Sequence, residues 1–366
     1  MKIECLREKL ISAVSKVEKV TGKNISLPVL ACILLEAKNG NLSLRATNLD
    51  LGIEISIPAK VEEEGIVAVS GSVLNNFISN LQNEKVVKMA TDGGNLKVSS
   101  ESSRATLKTL PAEDFPTIPQ IDEGDSFKIA TNEFLRGLRG VSYSAAVSGI
   151  KPELSSVYLY SNDKDLVFVA TDSFRLAEKK IHLKKELENI SLLIPSKNVS
   201  DILRIVEDSK EDLEVNYNKN QISLSFDSVY IVSRVIDGVF PDYRQIIPKE
   251  HKTEVVVLKQ DLVSFLKISN IFSDSFNQVN IKIQPKESIF ELKTKNSNVG
   301  ENVNSIQASL IGEDIDVNFN YKYIVDCFSS VESDSIVLQF NGMNRPLLVS
   351  GVSDKSFVYI VMPMNK

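Results

Sequence analysis

Apolar residues recur along this chain in two rhythms, one spaced as on a helix face and one alternating as along a strand, and the order of the two rhythms repeats. Between residues 5 and 20, Leu6, Leu10, Ala13, Val14 and Val17 share one predicted helix face, with Lys9, Lys16 and Lys19 opposite and Gly22 as the stop. Strand-like runs follow over 31–36, 42–46, 52–57 and 66–69. Ser70 or Ser72 then opens a second helix carrying Val73, Leu74, Phe77, Ile78 and Leu81. Three further strands turn around Asp92-Gly93-Gly94 and Ser102-Ser103, and the stretch closes on Leu110-Pro111-Ala112-Glu113-Asp114-Phe115-Pro116.

The plan then starts again. Thr131 is placed to cap a helix with Phe134, Leu135, Leu138 and Val141 inward and Arg136 and Arg139 outward. Strands are expected over 156–160, 166–170 and 176–181, and Leu192-Leu193-Ile194-Pro195 precedes a helix with Val199, Ile202, Leu203 and Val206. Phe240-Pro241-Asp242-Tyr243 closes this stretch as Phe115-Pro116 closed the first. A third round opens with a helix bearing Leu258, Leu262, Phe265, Leu266 and Ile268, followed by Ile271 and Phe272. Strands over 280–283, 289–292, 305–310 and 315–319 lead to a helix with Tyr323, Ile324 and Phe328, and Val358 to Met362 forms the last strand.

Equivalent features return at intervals of roughly 120 residues, the size of a domain and not of a solenoid repeat. Runs of strands with few helices point to α+β architecture: three similar domains, each with two helices packed on antiparallel sheets. The polar stretches near 121–127 and 248–253 divide the chain into 1–121, 127–248 and 252–366. One turn is the clearest mark of the copying. Ala170-Thr171-Asp172-Ser173-Phe174-Arg175-Leu176-Ala177 joins two strand-like runs, and Ala46-Thr47-Asn48-Leu49-Asp50-Leu51 stands in the same setting.

Composition narrows the function. The 366 residues hold 42 basic and 48 acidic side chains, so the chain is not a uniformly basic groove binder of nucleic acid, though a local basic surface remains open. Cys5, Cys32 and Cys327 are far apart and read as free thiols of a reducing compartment. The N-terminal residues are charged throughout and no apolar run is long enough to span a membrane, so a cytoplasmic protein is expected. Catalytic signals are sparse. His182 and His251 are flanked by lysines, no phosphate-binding or dinucleotide-binding glycine loop occurs, and Glu62-Glu63-Glu64 and Glu207-Asp208 read as solvated turns or helix ends. No cofactor, metal or catalytic residue is assigned.

Five stretches in order carry a resemblance: Ser26-Leu27-Pro28-Val29-Leu30, 110–116, 170–177, Asp237-Gly238-Val239-Phe240-Pro241-Asp242-Tyr243-Arg244, and the terminal Val361-Met362-Pro363-Met364. With the threefold plan, the chain resembles the bacterial sliding-clamp family, the beta subunits of DNA polymerase III. That resemblance implies a head-to-tail homodimer, a six-domain ring around duplex DNA, with helices toward the hole. It implies a non-catalytic subunit of the polymerase holoenzyme that slides freely and raises processivity. Its partners would be double-stranded DNA without sequence preference, the polymerase alpha subunit, the clamp loader delta subunit and other proteins with a clamp-binding motif. The loader is expected to be a separate protein, since the chain has no ATP-binding loop.

By the same resemblance, Lys23, Asn24, Ser148, Gly149, Lys151 and Lys197 contact DNA, with Lys9, Lys16, Lys19, Arg136, Arg139 and Arg204 adding basic helix faces. Weak phosphate attraction without base contacts suits sliding. Asn24 stands where relatives commonly carry a basic residue, and Lys23 beside it can substitute. A pocket for short extended peptides is expected from Leu154, Thr171, Ser173, Phe174, Arg175, Leu176, Pro241, Ile246, Phe276, Asn320, Tyr323, Val361, Met362, Pro363 and Met364. Methionines give it adaptable apolar surface, prolines rigid walls, and Arg175 and Asn320 donors for peptide carbonyls. Ser173 and Phe174 replace a common Gly-His, Gln245 a frequent Arg, and the chain ends on Asn365-Lys366, departures that bear on partner preference. Arg104, Ala105 and Leu107 of one copy would meet Ile271 and Phe272 of the other.

Two other readings compete. A peptide-binding scaffold of the same build would not encircle DNA, and a nuclease would need carboxylates gathered by the fold around a divalent metal.

Overall fold

A computed structural model describes residues 1–22, 27–82, 84–187 and 189–364. The first round of elements is β1 (Lys2–Leu6), α1 (Arg7–Glu18), β2 (Cys32–Lys38), β3 (Asn41–Thr47), β4 (Leu51–Pro58), β5 (Lys60–Glu63), β6 (Gly65–Ser70), α2 (Gly71–Asn80), β7 (Val86–Asp92), β8 (Asn95–Ser99) and β9 (Arg104–Leu110). The second is β10 (Asp125–Ala130), α3 (Thr131–Val141), β11 (Ser156–Asn162), β12 (Asp165–Thr171), β13 (Arg175–His182), β14 (Ser191–Pro195), α4 (Ser196–Val206), β15 (Asp212–Tyr217), β16 (Gln221–Phe226) and β17 (Val229–Arg234). The third is β18 (Thr253–Leu258), α5 (Lys259–Ile271), β19 (Gln278–Gln284), β20 (Ile289–Asn296), β21 (Gly300–Ser305), β22 (Ser309–Gly312), β23 (Ile315–Asn320), α6 (Tyr321–Asp326), β24 (Ser335–Phe340), β25 (Leu347–Gly351) and β26 (Phe357–Val361). Strand, helix, a run of strands, helix and three strands therefore recur three times.

The chain forms two compact units, Met1–Asn132 with Lys197–Val235, and Glu133–Ser196 with Ile236–Lys366. The first unit holds one sheet in the order β10-β15-β16-β17-β4-β3-β2-β6-β9-β8-β7-β1-β5. Here α1 buries Leu10, Ala13, Val14 and Val17 and packs against α2, which buries Leu74 and Ile78. The second unit holds two sheets, β14-β11-β12-β13-β26-β25-β24-β18-β22 and β21-β20-β19-β23. Its α5 buries Leu262 and Leu266 and meets α6. Gly137 of α3 is required by packing, since a Cβ there would lie 2.3 Å from the Phe168 ring of β12.

Each unit contains one junction where the last strand of one round pairs with the third strand after the opening helix (the third strand, for short) of the round before it. In the first unit β17 runs antiparallel to β4, with Ser233 opposite Leu51 and Val229 opposite Ile55. In the second β26 runs antiparallel to β13, with Val361 opposite Arg175 and Phe357 opposite Lys179. Among the described residues, β21 has no strand on its outer edge, and β9 is paired on that side only at Thr109 and Leu110.

Several element ends differ from the periodicity. Leu6 and Leu258 were expected on helix faces but are the last residues of β1 and β18, and both are exposed. Each takes the outward position of its strand's alternation, after buried Cys5 and Val257, although its spacing is in phase with the helix that follows. The first helix ends at Glu18, not Gly22, whose N–H bonds the Leu30 carbonyl at 2.7 Å. Ser70 is the N-cap of α2 by backbone position, and its hydroxyl contacts Ser72 Oγ at 3.3 Å. The strand expected over 305–310 is two strands, β21 and β22, and Phe328 lies in the 3₁₀ turn after α6.

Cys5, Cys32 and Cys327 are free and buried. Burial pushes all three thiols up, Cys5 from 9.0 to about 12. Unfolding exposes thiols that ionise near the ordinary value, so the unfolded state loses protons first as pH rises. Stability against urea is therefore expected to hold below about pH 9 and to fall between there and about 12, the window set by Cys5. A thiol-disulfide reagent at neutral pH should titrate none of the three in the native protein and all three in denaturant; rapid native labelling would contradict the burial.

Candidate functional site

The site is built on the turn between β12 and β13. Thr171 Oγ1 donates to the Arg175 carbonyl and accepts the Ser173 N–H at 3.2 Å. Asp172 Oδ1 accepts the N–H groups of Phe174 and Arg175, both at 2.9 Å, while Oδ2 takes Arg175 Nε at 3.0 Å. Two side chains thus satisfy the turn's backbone donors, and Ser173 sits at φ 75°. The copy in the first unit has the same bonds. Thr47 Oγ1 donates to the Leu51 carbonyl at 2.9 Å, Asn48 Oδ1 accepts from Asp50 and Leu51 at 3.0 and 2.8 Å, and Leu49 takes φ 78°.

The terminal segment is docked onto this turn. Beyond β26, the Met362 N–H bonds the Phe174 carbonyl at 2.8 Å, and the Met364 N–H bonds the Asn318 carbonyl at 2.8 Å. Met362, Pro363 and Met364 are consequently half-buried, against Phe174 at 61% exposed. Asn320 pairs with Gln278 across β23 and β19 and caps α6, its Oδ1 accepting the Lys322 N–H at 3.0 Å. The Tyr321 N–H bonds the Asn277 carbonyl, which anchors the loop carrying the exposed Phe276. Backbone bonds therefore link Phe174, Met362, Met364, Asn320 and Phe276 in one strip.

Beneath lies an apolar floor. Leu176, Val167, Val169, Leu193, Phe240, Tyr243 and Ile360 form one buried cluster, with Tyr158 stacked 5.0 Å from both Tyr160 and Phe240. The 237–244 stretch thus sinks Phe240 and Tyr243 and leaves Pro241 exposed, as is Ile246 just beyond it. Tyr243 OH donates to Glu178 Oε2, Tyr160 OH lies 2.7 Å from Tyr243 OH, and Arg244 Nη2 donates to Tyr160 OH at 2.9 Å. Burial and the Glu178 carboxylate push the Tyr243 phenol up, so it stays a donor. Leu154 and Val361 are buried, and Leu154 N–H closes on the Lys151 carbonyl at 3.0 Å.

Arg175 differs from its expected role as a donor to ligands. Its Nε meets Asp172, Nη1 meets Asp326 and Nη2 donates to the Tyr143 carbonyl. Its guanidinium carbon lies 4.6 Å from the Tyr323 ring centre and 5.8 Å from that of Tyr143. Arg175 holds the walls of the site together. A second ionic group was not visible in the sequence: Lys179, 1% exposed, pairs with Asp354 at 3.1 Å and Glu332 at 3.4 Å. Only a buried position for a strand lysine could have flagged it, since both carboxylates come from far along the chain.

Other expected residues lie elsewhere. Ser148, Gly149 and Lys151 are exposed on the loop after α3, whose tip also presents Val147 and Ile150. Lys23 and Asn24 lie outside the described residues. Lys197 is exposed on α4, where Lys19 Nζ donates to the Arg204 carbonyl at 3.0 Å. Burial raises the Asp201 carboxyl there against the pull of Arg204, Lys197 and Lys19. Arg104 is exposed, Ala105 half-buried and Leu107 buried along β9. Ile271 is 64% exposed, and Phe272 is half-buried with its ring beside Gly300. Among the described residues, no cluster of three metal-ligating side chains occurs, and no helix is long and apolar enough to cross a membrane.

Asp172→Ala leaves two turn N–H groups and the Arg175 guanidinium without their carboxylate, so a loss of about 2–4 kcal/mol is expected in urea unfolding. Asn48→Ala should cost about 1–2 kcal/mol, since its amide carries no charge. Equal, negligible losses would contradict the turn's role.

Three family models match the chain: the DNA polymerase III beta subunit N-terminal domain over 1–119, central domain over 128–242 and C-terminal domain over 244–365. The beta sliding clamp of Synechococcus elongatus is 27% identical, covering 100% of this chain and 99% of that protein. That of Rickettsia felis is 28% identical over 97% of each. Among solved structures, the DNA polymerase III beta subunit of Thermotoga maritima superposes with a TM-score of 0.94 at 28% identity, covering 100% and 99% of the two chains. The Bacillus subtilis sliding clamp, at 24% identity, shares the fold with a TM-score of 0.95 over 100% and 99%. With all three of its rounds matched in order, the chain belongs to the DNA polymerase III beta subunit family.

Proposed function

We propose that the protein is the sliding clamp of a replicative DNA polymerase, two copies of which join head to tail and enclose duplex DNA. Domains 1–121, 127–248 and 252–366 then supply six modules to the ring. The observation that carries the assembly is a pair of open edges, the outer edge of β21 and residues 104–108 of β9. At both internal junctions a last strand covers a third strand, β17 on β4 and β26 on β13. The third strand left over is β21 and the last strand left over is β9. An open edge is a liability that a second copy removes by pairing.

The internal junction also supplies a register. Gly52 faces Val232, and Gly52 closes its hairpin opposite Thr47 as Gly300 closes its own opposite Asn296. Leu107 stands as far before Phe115-Pro116 as Val232 stands before Phe240-Pro241. Leu107 would thus face Gly300 of the second copy, Ala105 face Asn302, and Arg104 face Val303. Side-chain parity agrees, since Leu107 and Ala105 point inward as Asn302 does, while Arg104 and Val303 are exposed. A slip of one residue would break that match. Phe272, whose ring lies beside Gly300, and the exposed Ile271 would supply an apolar contact next to the paired strands.

Exposed Lys197 and Arg204 on α4, Lys19 after α1 and Lys151 on the α3 loop give phosphate attraction without base-reading geometry. Lys23 and Asn24 would extend it. Partners would dock extended peptides on the strip from Phe174 to Phe276: the polymerase alpha subunit, the clamp loader delta subunit and other motif-bearing proteins. Phe174 makes the turn side of that strip aromatic. The protein would act in the cytoplasm as a non-catalytic holoenzyme subunit, loaded by a separate ATPase.

The native thiols are buried, so engineered cysteines report the interface cleanly. Arg104→Cys combined with Val303→Cys should form a doubly cross-linked dimer on oxidation, while each single variant stays uncross-linked. No dimer from the pair would overturn the register. Phe272→Asp should shift the protein to monomer in ultracentrifugation at about micromolar concentration; full dimer there would remove Phe272 from the interface.

A further inference from the structure

We propose that the junction between β4 and β17 is a closed copy of the peptide pocket, and that Asp50, Arg234 and Asn198 are the residues that close it. The inference rests on the peptide-binding reading of the β13–β26 site. The two junctions share their strand pairing and two backbone hydrogen bonds. Arg234 N–H bonds the Asp50 carbonyl at 2.8 Å, as Met362 N–H bonds that of Phe174 at 2.8 Å. Gly22 N–H bonds the Leu30 carbonyl at 2.7 Å, as Ala146 N–H bonds that of Leu154 at 2.8 Å. Leu30 and Leu154 are both buried.

Their floors correspond as well. Ile118 packs on Gly52 and Val232, with a Gly52 Cβ falling 3.0 Å from Ile118 and 3.3 Å from Val232. Tyr243 shares a cluster with Leu176 and Ile360, the residues in the same places. Backbone and floor therefore do not explain why one junction would take a peptide and the other would not.

What differs is the rim. Where the second unit presents Phe174 and Met362, the first presents Asp50 and Arg234, whose charged groups lie 3.9 Å apart. Tyr323, third residue of α6, has its counterpart in Asn198, third residue of α4. Asn198 is 1% exposed and spans the gap, donating to the Asp50 carbonyl at 3.2 Å and to Ser233 Oγ at 2.9 Å. An apolar peptide would have to strip water from two charged side chains there and would gain no apolar contact in return. The same chemistry names Phe174 and Met362 as the residues that select extended peptides with apolar side chains at the open junction.

The test counts binding sites. A fluorescein-labelled pentapeptide with leucine and phenylalanine at its apolar positions is titrated against the full chain by equilibrium dialysis. One peptide per protomer is expected for the native protein, and none after Phe174→Asp with Met362→Arg. Asp50→Phe with Arg234→Met should raise the count to two, the new site lying within about a hundredfold of the first in affinity. Arg234→Met alone, which keeps the backbone bond and the carbon stem, serves if the double variant melts early; it should give a weaker second site. A count that stays at one in a folded variant overturns the proposal, and so does a count of two in the native protein. No binding by the native protein would instead remove the pocket reading on which the proposal rests.

Discussion

Edge pairing between successive rounds is the constraint on which the rest of this structure depends. A third strand whose outer edge stayed open would expose a row of backbone donors and acceptors. In each unit the last strand of the next round covers it, β17 on β4 and β26 on β13. That pairing also brings a chain segment, Arg234 in one case and Met362 in the other, against the preceding turn. The pocket is thus a by-product of how the modules are joined. Its position follows from strand register, and in the proposed reading its selectivity follows from the few side chains at the rim.

The turns make this possible because their own side chains complete them. Thr and Asp or Asn supply the acceptors that the extended backbone would otherwise lack. At the second junction the Asp172 carboxylate also orients Arg175, whose remaining nitrogens tie Asp326 and the Tyr143 carbonyl into the same wall. Rigid walls around exposed Phe174 and half-buried methionines fit the proposed docking of extended peptides. In the proposed reading, scattered basic groups meet the opposite need, attraction to DNA that never locks in place.

The repeated turn was legible in the sequence because its chemistry is local: Thr47-Asn48 and Thr171-Asp172 each act on residues within the same hairpin. Helix faces were legible where Leu10, Val14 and Val17, or Phe134 and Leu138, keep helical spacing. Leu6 and Leu258 misled because an apolar residue ending a strand falls in phase with the helix behind it. The charged strand β5 shows no alternation and left no signal. The partners of Lys179 and the Asp326 partner of Arg175 were hidden for another reason, since those carboxylates lie more than a hundred positions away. Side-chain chemistry names candidates for a pocket, but only the strand register says which of them face each other.

The most direct measurement of the central claim is topological. The protein is loaded with a bacterial clamp loader and ATP onto a nicked circular plasmid, washed in high salt, and the plasmid is then cut once. A closed ring predicts that the complex survives the wash and is released on cutting, because linkage and not phosphate attraction holds it. Binding that disappears in salt and is indifferent to cutting would contradict the account.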